Sequence, residues 1–200
     1  MVDLKKEIAT YRAPHGTFEV VTVAPARFLM VDGHGDPNSS QAYQDALQSL
    51  YPLAYGLKFL SKRELARDYT VMPLEGLWWS DDMSTFTQAR DKSRWDWTLM
   101  NLVPGWLTAE DVEAARSSVA RRGGAPLLDA VRLEPFDEGQ VVQTLHVGPY
   151  DDEGPVLVRM HALIEARGLR MAGTHHEVYL SDPRRTAPAK LRTILRQPVA

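Results

Sequence analysis

Twice along this chain the same order of elements can be read: a strand running into a Gly/Pro turn, one helix, and two further strands. In the first half the turn is Gly35-Asp36-Pro37 and the strand after the helix closes in Ser80-Asp81. In the second half the matching points are Gly148-Pro149-Tyr150 and Ser181-Asp182. Residue by residue the halves differ, so this is a repeat of structure rather than of sequence. Strands separated by single helices, with hairpins between them, predict an α+β fold: a largely antiparallel sheet with helices on one face and the opposite face free. Two such units side by side form a cleft where they meet, a frequent place for a small-molecule site. We expect one domain over residues 1–200, with a first unit at about 17–82, a connecting strand and helix at about 93–124, and a second unit at about 130–199.

The local signals fit this order. Residues 17–33 give two strand segments separated by Pro25. Ser39 or Ser40 can cap a helix carrying Tyr43, Leu47, Leu50, Ala54 and Leu57 at helical spacing, which Pro52 should kink or divide. Strands follow at 71–79 and 95–103. Thr108 with Asp111 forms a capping signal for a helix that Gly123-Gly124 closes. Residues 130–134 and 141–147 read as a strand pair about Asp137-Glu138-Gly139, and Pro155 opens a helix that Gly168 stops. Strands at 175–180 and 191–195 end the pattern.

Composition narrows the function. The chain has no cysteine, which removes disulfides, thiolate metal sites and cysteine nucleophiles. Its 23 basic against 26 acidic side chains lack the positive excess that nucleic-acid backbones demand, so no direct nucleic-acid partner is expected. The start of the chain has no apolar signal region, and no apolar run approaches the ~18 to 20 residues that span a bilayer, so we expect a cytoplasmic protein without membrane contact. Nothing in the pattern points to a cofactor. Gly33-His34-Gly35 begins like a dinucleotide fingerprint, but the third glycine is missing and Pro37 interrupts the approach to the helix. The six histidines do not assemble a metal motif. His175 and His176 point to opposite faces of a strand, and His161 has only Glu165 four residues on.

The strand His175-His176-Glu177-Val178-Tyr179-Leu180-Ser181 is the most informative stretch. Alternation places His176, Val178 and Leu180 on one face, and His175, Glu177, Tyr179 and Ser181 on the other. Such a strand could simply turn its polar face to water. The surplus of aromatics argues otherwise: Tyr51 and Tyr55 at i, i+4, Trp78 and Trp79, Trp95 and Trp97, Trp106 and Tyr150, with five tryptophans in all. If several of them line the free sheet face around Glu177, the site is an aromatic slot with one carboxylate inside. Flat lipophilic ligands stack on such rings, and a cation is favoured by both the rings and the carboxylate. Rings that exclude water also suit a carboxyl to general acid or base work near neutral pH.

At these residues the chain resembles the GyrI-like small-molecule-binding domains, which are similar to the effector-binding domains of multidrug-sensing transcription regulators. The resemblance rests on Val71 to Trp79, on His146-Val147-Gly148-Pro149-Tyr150, and on His175 to Arg185 continuing through Leu191 to Val199. It spans about residues 17–199, which leaves no room within it for a DNA-reading domain. It implies two pseudo-twofold-related strand-helix-strand-strand units about a central aromatic cleft, with a buried glutamate from the second unit that falls on Glu177. Family members of this length look like hydrolases that open the cyclopropane of DNA-alkylating natural products and so protect the cell. Carried over, Glu177 would position or deprotonate the attacking water, and Tyr179 or Tyr150 would donate a hydrogen bond to the dienone oxygen. Tyr55, Trp78, Trp79 and Trp95, with Tyr150 and His175, would contact a planar, lipophilic, aromatic ligand. The alternative is a non-catalytic module that sequesters planar lipophilic or cationic drugs in the same cleft, or that docks on gyrase.

Overall fold

The computed structural model describes residues 1–81 and 91–200. Its strands are β1 (Glu19–Val23), β2 (Ala26–His34), β3 (Leu74–Trp79), β4 (Asp96–Val103), β5 (Arg132–Phe136), β6 (Gly139–Val147), β7 (His175–Tyr179) and β8 (Arg192–Pro198). They form one sheet in the order β1-β6-β8-β7-β3-β4-β2-β5, antiparallel at every neighbouring pair. The helices are α1 (Leu4–Glu7), α2 (Gln41–Glu64), α3 (Ala109–Ala120) and α4 (Gly154–Ala166). The expected repeat is present as β2-α2-β3-β4 and β6-α4-β7-β8. Within the sheet, β6-β8-β7 and β3-β4-β2 are mirror-ordered about the β7/β3 seam. The segment 96–103 that the sequence suggested as a connector lies inside the first half of the sheet, between β3 and β2.

One predicted pairing does not form. β5 and β6 are consecutive, yet β5 pairs with β2 and β6 with β1 and β8. Each half thus lends its leading strand to the outer edge of the other. Because β6 is an interior strand, both of its edges are already occupied and no hairpin partner can be added. The loop at Asp137-Glu138 turns the chain away, and Gly139 accepts the positive φ of 69° that this needs.

Helix α2 continues through Pro52 as one element of 24 residues rather than dividing there. Its stripe Ala46, Leu50, Leu53, Leu57 and Leu60 is buried on both sides of the proline, and that packing outweighs the missing hydrogen bond. Ser40 occupies the N-cap position, but its hydroxyl donates to the His34 carbonyl instead of capping. Thr108 and Asp111 form the expected capping box at α3.

Strand alternation divides the core into two layers. On the front face Leu29, Val31, Trp97 and Leu99 pack under α2 and α3, while Val142 and Leu195 pack under Leu157, Met160 and Ile164 of α4. On the back face Phe28, Met30, Leu77, Met100, Leu102, Leu145, Val178 and Ile194 are covered by Leu4, Ile8 and Tyr11 of the N-terminal segment. The expectation of a free opposite face is therefore corrected. Eight buried apolar side chains there, each worth about 1.5–3 kcal/mol on removal from water, require a cover.

Candidate functional site

A cavity of about 980 Å³ opens on the front face, above the β7/β3 seam and between α2 and the start of α4. Its position follows from the repeat: each half supplies one long helix, and the gap between them falls where the halves meet. The floor is Leu74 and Trp78 of β3 with His175, Glu177 and Tyr179 of β7. One wall is a second stripe along α2, where Tyr43, Leu47, Tyr51 and Tyr55 recur every four residues beside the buried core stripe. Trp95, Tyr150 and Leu157 close the rest.

Glu177 sits at the centre of this floor with its side chain 14% exposed. Its Oε2 accepts a hydrogen bond from the Tyr179 hydroxyl at 2.6 Å, and its Oε1 lies 3.3 Å from Nε2 of His175. The Trp78 indole N–H in turn donates to the Tyr179 oxygen at 2.9 Å. The carboxylate is thus held at one oxygen by a phenol that an indole orients, and at the other by an imidazole. His175 is buried, and its Nδ1 has no hydrogen-bond partner among the described residues.

Burial, and after it the nearby Glu177 charge, pushes the Tyr179 phenol well above the usual range; the same two causes act on Tyr43. Burial, with Glu153 and Glu177, pushes Tyr150 up to about 12. All three phenols therefore stay protonated as hydrogen-bond donors at neutral pH. Burial, with the neighbouring His175, lowers His161 below the ordinary histidine value.

Gly76 faces Glu177 across the β3/β7 ladder. A Cβ there would lie 2.7 Å from the Trp78 indole nitrogen and 3.3 Å from the Tyr179 hydroxyl. The glycine leaves the space in which the indole–phenol–carboxylate chain assembles.

Of the residues singled out from the sequence, the structure brings together Glu177, Tyr179, His175, Tyr55, Trp78, Trp95 and Tyr150 around the cavity. Trp78 and Trp95 meet edge to face at 5.8 Å, and Tyr43 stacks on Trp78 at 6.3 Å. Trp79 does not join them. As the next residue on β3 it points to the back face and packs against the core there. Trp97 lies on the front face but is fully buried against Gly33, where a Cβ would run into its ring. Trp106 packs edge to face with Tyr69 and donates to Ser61. The slot also lies under the helices, not on a helix-free face as the sequence reading supposed. Sequence reasoning placed Tyr43 and Leu47 on the helix without assigning them to the site, and passed over Lys92 and Glu153, which also line the cavity; the four-residue tyrosine spacing on α2 was the available signal. Among the described residues no cluster of His, Cys, Asp or Glu could hold a metal ion, and no helix is long and apolar enough to cross a membrane.

Comparison with known proteins places this geometry. The model of the GyrI-like small molecule binding domain matches residues 16–200. The chain belongs to that family. Two solved structures from Listeria innocua are similar along their whole lengths: an uncharacterized conserved protein at 39% identity and a TM-score of 0.91, and a protein described as a hydrolase at 38% identity and 0.86, each with 100% of both chains covered. The EcmrR C-terminal domain shares the fold, at 11% identity and a TM-score of 0.59 over 92% of this chain and 97% of that one. No curated protein matches significantly in sequence. The chain is therefore a small-molecule-binding domain.

Proposed function

We propose that this domain hydrolyses planar, lipophilic electrophiles, and specifically that it opens the cyclopropane of cyclopropyl-dienone DNA alkylators. The observation that carries this reading is the position of Glu177: one carboxylate at the floor of a ring-walled cavity, held by Tyr179 and His175. A volume of about 980 Å³ suits a drug-sized ligand, and the hydrolase description of a relative at 38% identity agrees with it.

In the proposed step a water held by Glu177 attacks the unsubstituted cyclopropane carbon. A C–O bond forms as the strained C–C bond breaks, and the bonding pair moves through the ring to the dienone oxygen, producing a phenolate. Glu177 takes the water proton, and that proton later returns to the phenolate. Tyr179 is already committed to Glu177, so its role is to orient the carboxylate. Tyr150 is the phenol assigned to the oxygen where negative charge develops. One positioned base supplies roughly 10²- to 10⁴-fold acceleration, enough for a substrate already under strain.

The test is incubation with a cyclopropyl-dienone alkylator, following the ring-opened product, one water heavier, by mass spectrometry. Wild type should turn the compound over, and Glu177→Gln should lose most of that activity. Unchanged turnover in the variant would remove Glu177 as the base. Binding without product would favour the second reading, a sequestering domain for planar cations, which the pairing of a carboxylate with aromatic walls also fits.

A further inference from the structure

The back face of β7 carries a charge cluster that the cavity does not use. His176 is 1% exposed and lies between two carboxylates: its Nε2 is 2.9 Å from Oε2 of Glu75 on β3, and its Nδ1 is 2.8 Å from Oε1 of Glu138 in the turn before β6. Carboxylates only accept hydrogen bonds, so both ring nitrogens must donate and the ring is an imidazolium. Arg196 of β8 completes the charge balance at 3.5 Å from Glu138 Oε2, and its Nε donates to Gln143 Oε1 at 2.9 Å. Tyr11, from the N-terminal segment, donates to Glu75 Oε1, and Arg196 also donates to the Thr10 carbonyl. Tyr11, Glu75, Glu138 and Arg196 are the titratable or charged groups lining the small cavity around His176.

The placement of this cluster matters because of what β7 lacks. Its sequence His175-His176-Glu177 puts polar residues on both faces, so hydrophobic alternation fixes its register weakly. A slip of one residue would turn His176 into the cavity and Glu177 beneath the sheet. Such a slip would also strand Glu75 and Glu138 as buried, uncompensated carboxylates, which is strongly unfavourable. β7 also forms the seam between the two halves, where an error would displace the floor of the cavity.

We propose that His176 is a positioning residue for the ligand cavity: its clamp between Glu75 and Glu138 locks the register of β7 and so aims His175 and Glu177 at the ligand. Fixing register is the best-attested use of a buried polar group in an otherwise permissive element. The inference rests on the cavity being the ligand site, and the experiment keeps the two apart.

Two readouts are taken on the whole chain. The first is the indole N–H resonance of Trp78, assigned by its loss in Trp78→Phe, which reports the bond to Tyr179 without any ligand. The second is the Kd of the planar cation ethidium from tryptophan quenching. With burial opposing the charge but Glu138 and Glu75 outweighing it, His176 keeps its proton up to about pH 9. Wild type should therefore show a step in the Trp78 resonance near that pH, together with weaker dye binding above it. His176→Gln should remain folded, lose the step, and bind the dye about tenfold more weakly at pH 7, the scale of losing a supporting partner behind a binding group. Glu75→Gln should shift the step downward. A wild-type resonance that shows no step overturns the proposal, even if no variant folds. A folded His176→Gln with the wild-type resonance and dye Kd also overturns it. Failure of wild type to bind ethidium, with the step intact, counts against the cavity reading alone.

Discussion

The two faces of β7 treat a buried carboxylate in opposite ways. On the front, Glu177 has a hydroxyl on one oxygen, an imidazole at 3.3 Å on the other, and a cavity above it. On the back, Glu75 and Glu138 are matched by an imidazolium and a guanidinium, and their side chains are 1% exposed. A compensated cluster holds structure, because removing one member leaves a buried charge without its partner. An under-compensated carboxylate beside open space is reactive, because a ligand or a water can supply what the protein withholds. The same five-residue strand carries Glu177 on one face and, in His176, the partner of Glu75 and Glu138 on the other, and the difference between the two faces is what we expect mutation to expose.

The largest expected effect breaks the comparison directly. Glu177→Gln should reduce hydrolysis by about 10²- to 10⁴-fold and leave the melting temperature unchanged or higher. Glu138→Ala should lower stability by roughly 3–5 kcal/mol by leaving Arg196 without its carboxylate and His176 with only one of its two. Denaturant titration alongside the turnover assay separates the two. A strong loss of stability in Glu177→Gln would mean that the front carboxylate is structural after all.

Next in size is the pH dependence. The folded-state value of His176, about 9, lies above its unfolded value, so the stability it contributes is complete below about pH 6.5 and is lost as pH rises through 9. Burial opposes ionisation of Glu138, but the His176 and Arg196 charges prevail and lower it; its contribution is present above the ordinary glutamate range and is lost as pH falls through the folded value. These are two views of one interaction and should not be added. Thermal melts from pH 5 to 10 should fall on the alkaline side in wild type and much less in His176→Leu. Equal alkaline slopes would remove the imidazolium from the account.

Gly76→Ala comes third. A Cβ at 2.7 Å from the Trp78 nitrogen forces the indole to move, with a cost of about 1–3 kcal/mol. Weaker ethidium binding should accompany the loss, since the shift begins at the hydrogen bond that orients Tyr179. Retention of full binding would mean that Trp78 can relax without disturbing Glu177.

Part of this was legible in the sequence, although the weak hydrophobic alternation of β7 did not say which of its faces meets the cavity. The division of β7 into His175, Glu177 and Tyr179 against His176 and Val178 follows from a period of two alone, as does the strand-helix-strand-strand repeat from the spacing of turns. The exchange of β1 and β5 was not legible, because pairing across the halves leaves no local mark: the loop at Asp137-Glu138-Gly139 looks like a hairpin whichever neighbours its strands choose. The back-face cluster was hidden for a similar reason. Glu75, Glu138, His176 and Arg196 come from four separate segments, and only the sheet order brings them together. The two-stripe character of α2 was visible at Tyr43, Tyr51 and Tyr55, yet an aromatic stripe at helical spacing reads equally well as core until the position of the second helix is known.

The adjacent pair Trp78 and Trp79 offers the finest test, because identical side chains one residue apart sample the two faces. Trp78→Phe keeps a ring in the cavity floor but removes the N–H that donates to Tyr179 at 2.9 Å. Ethidium binding should weaken by about 0.5–1.5 kcal/mol, the net worth of one hydrogen bond. Trp79→Phe alters only the packing of the back layer, where a smaller ring of similar shape costs stability but touches no cavity group. Its dye Kd should stay within about twofold of wild type, a change under 0.5 kcal/mol. Equal weakening in both variants would mean that β3 does not hold its two faces apart in solution, and the assignment of Glu177 to the cavity, which shares the β3/β7 ladder with Gly76, would lose its geometric basis.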